Sequence, residues 1–185
     1  MLVESFRLVT ARLIPRGLRC KQACLAASVI LAALGLPACG GSSAAESQSH
    51  WQTVGGTGFT FQAPAGWKVE HAKNRNTATQ GSELVQVATF ALIKTYDEKL
   101  FGRVATELRS RMLDIAHQTG GKLSGQRTVT ADGVPSHAYD VTAGAQVDEY
   151  TFVLSGKREY LLLCRRTSSA GSAFCAQLVK SFARR

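Results

Sequence analysis

From Phe59 onward apolar and polar residues alternate, Phe59-Thr60-Phe61-Gln62-Ala63, with the two-residue period of a half-buried strand. Pro64-Ala65-Gly66 forces a turn, and Trp67-Lys68-Val69-Glu70 opens a second strand. A polar loop from Lys73 to Ser82 leads to Leu84 to Ile93, a longer and more apolar strand, so this part reads as an antiparallel meander. After Thr95 the period changes. Leu100, Val104, Leu108, Met112 and Ile115 recur mainly every four residues, with Phe101 and Ala105 beside them, while Glu98, Arg103, Glu107, Arg109, Arg111 and Asp114 fall largely outside that stripe. The spacing predicts an amphipathic helix of about six turns that stops at Gly120-Gly121.

Strand patterns resume at Arg127 to Thr130 and, across an Asp132-Gly133 turn, at Ser136 to Val141. Val147 to Leu154 follows, then Glu159 to Cys164 after a tight Ser155-Gly156 connection. The run Tyr160-Leu161-Leu162-Leu163 does not alternate, as expected of a central strand covered on both faces. A last helix, Ser172 to Phe182, carries Phe174, Leu178 and Phe182 four residues apart. These elements predict an α+β fold, an antiparallel β-sheet with helices on both faces: an α/β/α sandwich.

Upstream the pattern is different. Residues 40 to 58 are polar and rich in Gly and Ser, with Trp51 as the one large apolar residue, and read as a tether with Trp51 at the domain edge. Before it, a basic stretch ending at Lys21 precedes the apolar run Ala23 to Leu36, the order of a secretory signal. Leu36-Pro37-Ala38-Cys39 resembles the bacterial lipobox, which implies diacylglyceryl transfer to the Cys39 thiol and cleavage before it. Two chains on one thioether would hold the protein at a membrane lastingly, because each buried methylene adds about 0.8 kcal/mol. The apolar run read as an uncleaved transmembrane helix has 14 residues, against the roughly 20 that span a bilayer. An ordinary secretory signal cut after Ala38 would leave Cys39 a plain thiol. The expected organisation is signal peptide 1–38, lipidated Cys39 and tether 39–56, and folded domain 57–185.

Charge changes the picture less than its total suggests. The chain of 185 residues is formally +9, but after residue 39 there are 17 basic against 12 acidic side chains, a net +5. The basic residues are scattered singly or in pairs and mixed with acids, unlike a nucleic-acid face with interleaved aromatics, so no nucleic-acid partner is expected. With 45% hydrophobic and 19% charged residues, the composition supports an ordinary packed core.

Cys20 and Cys24 fall inside the removed segment. Cys164 and Cys175 remain, at a strand end and in the following helix, and export places them where disulfides persist, so a structural bridge is expected. A redox or metal role would call for CxxC spacing or His partners. His50, His71, His117 and His137 show no HExxH or HxH spacing, and no GxSxG, GxGxxG or P-loop pattern occurs. Asp148 and Glu149 occupy adjacent strand positions and point to opposite faces. His137, Tyr139 and Asp140 are the one cluster near catalytic composition, yet only 137 and 139 share a face, which favours a structural role. No catalytic residue, metal or cofactor is expected.

Phe59-Thr60-Phe61-Gln62-Ala63-Pro64-Ala65-Gly66-Trp67 resembles the opening strand and Pro-x-Gly-Trp turn of the PsbP-like family, found in bacterial surface lipoproteins and in a photosystem extrinsic protein. Gly133-Val134-Pro135 before a strand ending near Tyr139, the Tyr160 to Cys164 strand, and Ser181-Phe182 in a closing helix follow the family's order, over residues 57 to 183. The resemblance implies an antiparallel sheet between helices and a binding or assembly module without catalytic activity. It assigns structural roles only to Pro64, Gly66 and Trp67, the turn and its core anchor. The expected function is therefore a membrane-anchored, extracytoplasmic, non-catalytic module of the cell envelope whose partner is an envelope protein or a small ligand. The alternatives are an envelope enzyme or thiol redox protein using Cys164 and Cys175, and a carrier of a small lipid or glycan.

Overall fold

Alternation sets the sheet. The computed structural model describes residues 50–185; the signal peptide, Cys39 and most of the tether lie outside the described residues. Strands β1 (Trp51–Gly56) and β2 (Phe59–Pro64) pair antiparallel, then β3 (Lys68–Ala72), β4 (Arg75–Gln80) and β5 (Glu83–Ala91) form a meander. A short 3₁₀ turn, Glu98–Leu100, leads into helix α1 (Phe101–Gln118). The chain continues through β6 (Lys122–Ala131), β7 (Val134–Ala143), β8 (Gln146–Ser155) and β9 (Arg158–Thr167), then helix α2 (Ala173–Ser181) and a two-residue strand β10 (Ala183–Arg184).

Seven strands make one antiparallel sheet in the order β3-β4-β5-β9-β8-β7-β6, and β1-β2-β10 make a second, smaller sheet. α1 covers one face of the large sheet, where Leu108, Met112 and Ala116 meet Tyr139, Val141, Tyr150 and Phe152. The other face is covered by α2 together with the small sheet: Phe59, Phe61, Trp67, Leu178 and Phe182 pack on Val85, Val87, Val153, Tyr160 and Leu162. The α+β sandwich thus forms as expected, with a sheet and a helix sharing one outer layer. Burying a side chain of this size is worth about 1.5–3 kcal/mol, so both faces contribute. β9 is the central strand that its apolar run predicts: Tyr160, Leu162 and Cys164 face α2 and the small sheet, while Leu161 and Leu163 face α1.

Besides the short β10, three elements differ from the sequence expectation. Residues 51–56, read as tether, are strand β1, because all six pair with β2 and the Gln52 side-chain amide donates to the carbonyls of Pro64 (2.9 Å) and Trp67 (2.8 Å). Within the polar segment read as a loop, Arg75–Gln80 is β4. Its buried positions are the small Asn76 and Ala78, and Asn76 donates to the Gly55 carbonyl at 2.6 Å. β1 crosses so closely here that a Cβ on Gly56 would lie 2.7 Å from that Asn76 amide nitrogen. The helix also starts later than its stripe: Leu100 sits in the 3₁₀ turn and is 37% exposed.

The turns follow their residues. Asp132 and Gly133 both have positive φ, 48° and 76°, as a type I′ hairpin requires. Gly66 takes φ 81° in the turn that delivers Trp67 into the core, a conformation costly for any residue with a Cβ.

Candidate functional site

Cys164 on β9 and Cys175 on α2 form a disulfide, their Cα atoms 5.4 Å apart and both residues 2% exposed. It ties α2 to the centre of the large sheet, which is a structural placement. Trp67 packs on Phe174 of α2 with ring centroids 5.2 Å apart, a second contact that holds the same helix next to the bridge. Cys39 lies outside the described residues. His50, His71 and His117 are exposed and lie on different elements. Among the described residues, no three His, Cys, Asp or Glu side chains converge as metal ligands would.

His137 and Tyr139 face α1, while Asp140 faces the other side, as their strand positions dictate. The His137 ring nitrogen Nε2 lies 3.0 Å from the Phe101 carbonyl oxygen and the ring stacks on Phe101 with centroids 3.8 Å apart. The Tyr139 hydroxyl donates to the Ala105 carbonyl at 2.9 Å. Both side chains therefore satisfy backbone carbonyls in the first turns of α1, where they act as fasteners. Burial lowers the His137 pKa below its ordinary value of 6.5, with the Phe101 carbonyl opposing. As pH falls through about 6.5 the unfolded chain takes up this proton before the folded one does, so stability is whole above that pH and declines below it. A thermal melt at pH 5.5 is expected to lie below one at pH 7.5, and His137→Gln is expected to flatten that dependence. An unchanged slope in the variant would remove His137 as its cause.

Asp148 and Glu149 split between the faces. On the α1 side Asp148 takes a two-pronged bond from Arg165, 2.8 Å at each oxygen, and lies 3.5 Å from the Tyr150 hydroxyl. Burial, and then the Asp148 charge, push the Tyr150 pKa up to about 12, so its hydroxyl stays protonated at neutral pH. On the α2 side Asp140 and Glu149 stand directly opposite on neighbouring strands, a like-charge pair that would repel. Arg127 bridges them, reaching both Asp140 oxygens (2.7 and 2.6 Å) and one Glu149 oxygen (3.0 Å). Arg166 takes the other Glu149 oxygen at 2.9 Å. The Asp140 bond in particular makes Arg127 hold its proton more firmly than usual.

This ladder floors a cleft of about 690 Å³ between β6, β8 and the flank of α2. Arg127, Val129 and Glu149 line the sheet side, and Cys175, Val179 and Lys180 the helix side. The cleft is open to solvent, so it presents polar groups to a partner's surface more readily than it encloses a small molecule. Sequence reasoning missed it. The adjacent pairs Asp148-Glu149 and Arg165-Arg166 were the available signal, since neighbouring strands bearing such pairs match one ion pair on each face.

No family model matches the chain, and no curated protein matches it. Among solved structures, the solution structure of cyanobacterial PsbP (CyanoP) from Synechocystis sp. PCC 6803 matches with a TM-score of 0.56 and 16% identity, covering 81% of this chain and 99% of that one. A crystal structure of a protein from Bacteroides thetaiotaomicron matches with a TM-score of 0.49 and 9% identity over 69% of this chain, which spans 45% of that protein's length. The likeness to CyanoP makes the fold PsbP-like.

Proposed function

Starting from a PsbP-like fold, we propose that the protein is a lipid-anchored, extracytoplasmic, non-catalytic binding or assembly module of the cell envelope. The observation that carries this reading is the buried Cys164–Cys175 disulfide, because such bridges persist on the oxidising side of a membrane. It agrees with the Leu36-Pro37-Ala38-Cys39 pattern on the same chain, which supplies the lipid attachment. Use of the cysteines as an exchanging redox pair fits poorly with their burial, since attack on a disulfide needs access to a sulfur. The carboxylates Asp140, Asp148 and Glu149 each meet a guanidinium, an arrangement suited to holding the sheet's shape and presenting a recognition surface.

One experiment in cells tests both halves of the proposal. With a clickable fatty acid in the medium, the processed protein is expected to carry label and to fractionate with membranes, and Cys39→Ala is expected to lose both. Crosslinking in intact envelopes is expected to enrich specific partners over an inert domain carrying the same residues 1–49. An unlabelled, unprocessed cytosolic chain would overturn the anchoring, and absence of enrichment would overturn the module.

A further inference from the structure

The basic residues of the folded region are unevenly placed along the sheet. The β3–β4 turn and the start of β4 carry Lys73 and Arg75, the β8–β9 turn and the start of β9 carry Lys157 and Arg158, the segment after β5 carries Lys94 and Lys99, and Arg185 follows β10, all exposed. Backbone bonds gather these segments at one end of the molecule. Thr89 N–H donates to the Asn74 carbonyl (2.8 Å), Leu92 N–H to Lys157 (2.9 Å), Tyr96 N–H to Gly156 (2.7 Å) and Arg185 N–H to Gly58 (3.0 Å). The exposed acids of the same end are Asp97, whose carboxylate caps the Lys99 N–H at 3.0 Å, Glu98 and, on β3, Glu70. Asp132 there is already matched by Arg184. Buried Glu159, next to Arg158, is matched by Arg111, and the other ion pairs of the described residues involve Lys68, Arg127, Arg165 and Arg166, away from these turns. Arg75 also acts on Glu70.

Apolar exposure falls in the same place. Of the three exposed large hydrophobics among the described residues, Ile93 at 69% and Leu100 at 37% flank Lys94 and Lys99. Cations around a protruding aliphatic side chain match the requirements of an anionic bilayer surface: headgroup charge for the ring, acyl boundary for the apolar tip. A soluble polyanion would use the charges and leave Ile93 without a role. Residue 50 enters at the other end of β1, where its carbonyl accepts from Ala65 N–H, and the six residues of β1 set it about 20 Å from the basic end.

We infer that this basic end, with Ile93 at its tip, is a docking surface for anionic lipid headgroups, distinct from any attachment through Cys39. The compact unit Gln48–Arg185 contains both core clusters and the disulfide, so it folds without the segment before it and serves as the test protein. It is expected to co-sediment with vesicles of phosphatidylcholine plus phosphatidylglycerol, to ignore phosphatidylcholine alone, and to dissociate as salt is raised. Each cation removed is expected to cost about fivefold in affinity, and Lys73→Glu, Lys94→Glu, Lys157→Glu and Arg158→Glu together on the order of 100-fold or more. Ile93→Ser, at an exposed residue that belongs to neither core cluster, is expected to weaken vesicle binding while leaving the thermal melt unchanged. Equal binding to both vesicle types, no binding to either, or an Ile93→Ser variant that binds normally would overturn the inference. Binding to heparin or DNA that is tighter than to anionic vesicles and insensitive to Ile93→Ser would overturn it in favour of a soluble polyanion.

Discussion

Trp67→Ala is expected to destabilise the folded region by about 3–5 kcal/mol, a large share of a domain's usual 5–15 kcal/mol. The indole is 7% exposed, belongs to the core beneath the small sheet, and lies against Phe174. Its removal leaves a cavity against Phe174 of α2 in a core shared by both sheets and that helix, and the surrounding structure relaxes into such a cavity only in part. Urea unfolding followed by far-UV circular dichroism checks it: the midpoint should fall with little change in slope. Trp67→Phe should recover more than half, because Phe retains most of the contact with Phe174. A midpoint shift corresponding to under 1 kcal/mol would mean that the turn, and not the indole, anchors this corner.

Removing the disulfide by Cys164→Ala with Cys175→Ala is expected to cost about 3 kcal/mol on the chain-entropy account. The bridge spans a sequence separation of 11 residues and fixes the connection between β9 and α2. The thermal midpoint should drop by roughly 10 °C, and reducing agent should have no further effect on the variant. Trp67 and Cys175 both act through the docking of α2, the first by way of Phe174. Their losses are therefore expected to be less than additive, which a double-mutant cycle between the two sites measures directly. Full additivity would mean that α2 is held by Leu178 and Phe182 independently of either.

The candidate surfaces were less legible than the core. Adjacent charges such as Asp148-Glu149 show that one points to each face, but the partner of each depends on register. Register is set by the β7–β8 and β8–β9 turns and places Asp148 opposite Arg165, Asp140 opposite Glu149. Arg127 could not be matched to those two carboxylates from its own neighbours, because β6 reaches them only once the edge of the sheet is assembled. The basic end has the same origin: Lys73, Lys94, Lys157 and Arg185 lie in four separate turns or termini, so they read as scattered charges along the chain.

The sequence alone determined the elements with strong periods. The stripe Val104, Leu108, Met112 and Ile115 on one helix, the alternation from Phe59 to Ala63, and the unalternating run through Tyr160 to Leu163 each carry enough local apolar pattern to specify what they bury, and the cysteine pair its own bridge. Tertiary structure decided the rest. β1 offers only Trp51 and the buried Val54 before Gly55-Gly56, and β4 buries only Asn76 and Ala78, so neither carries a clear alternation, and both become strands because neighbours satisfy their backbone groups. The two-residue β10 exists because β2 offers a free edge to the chain leaving α2. Periodicity records what a segment buries by itself, whereas pairing, close approach and the gathering of charges belong to segments distant in sequence.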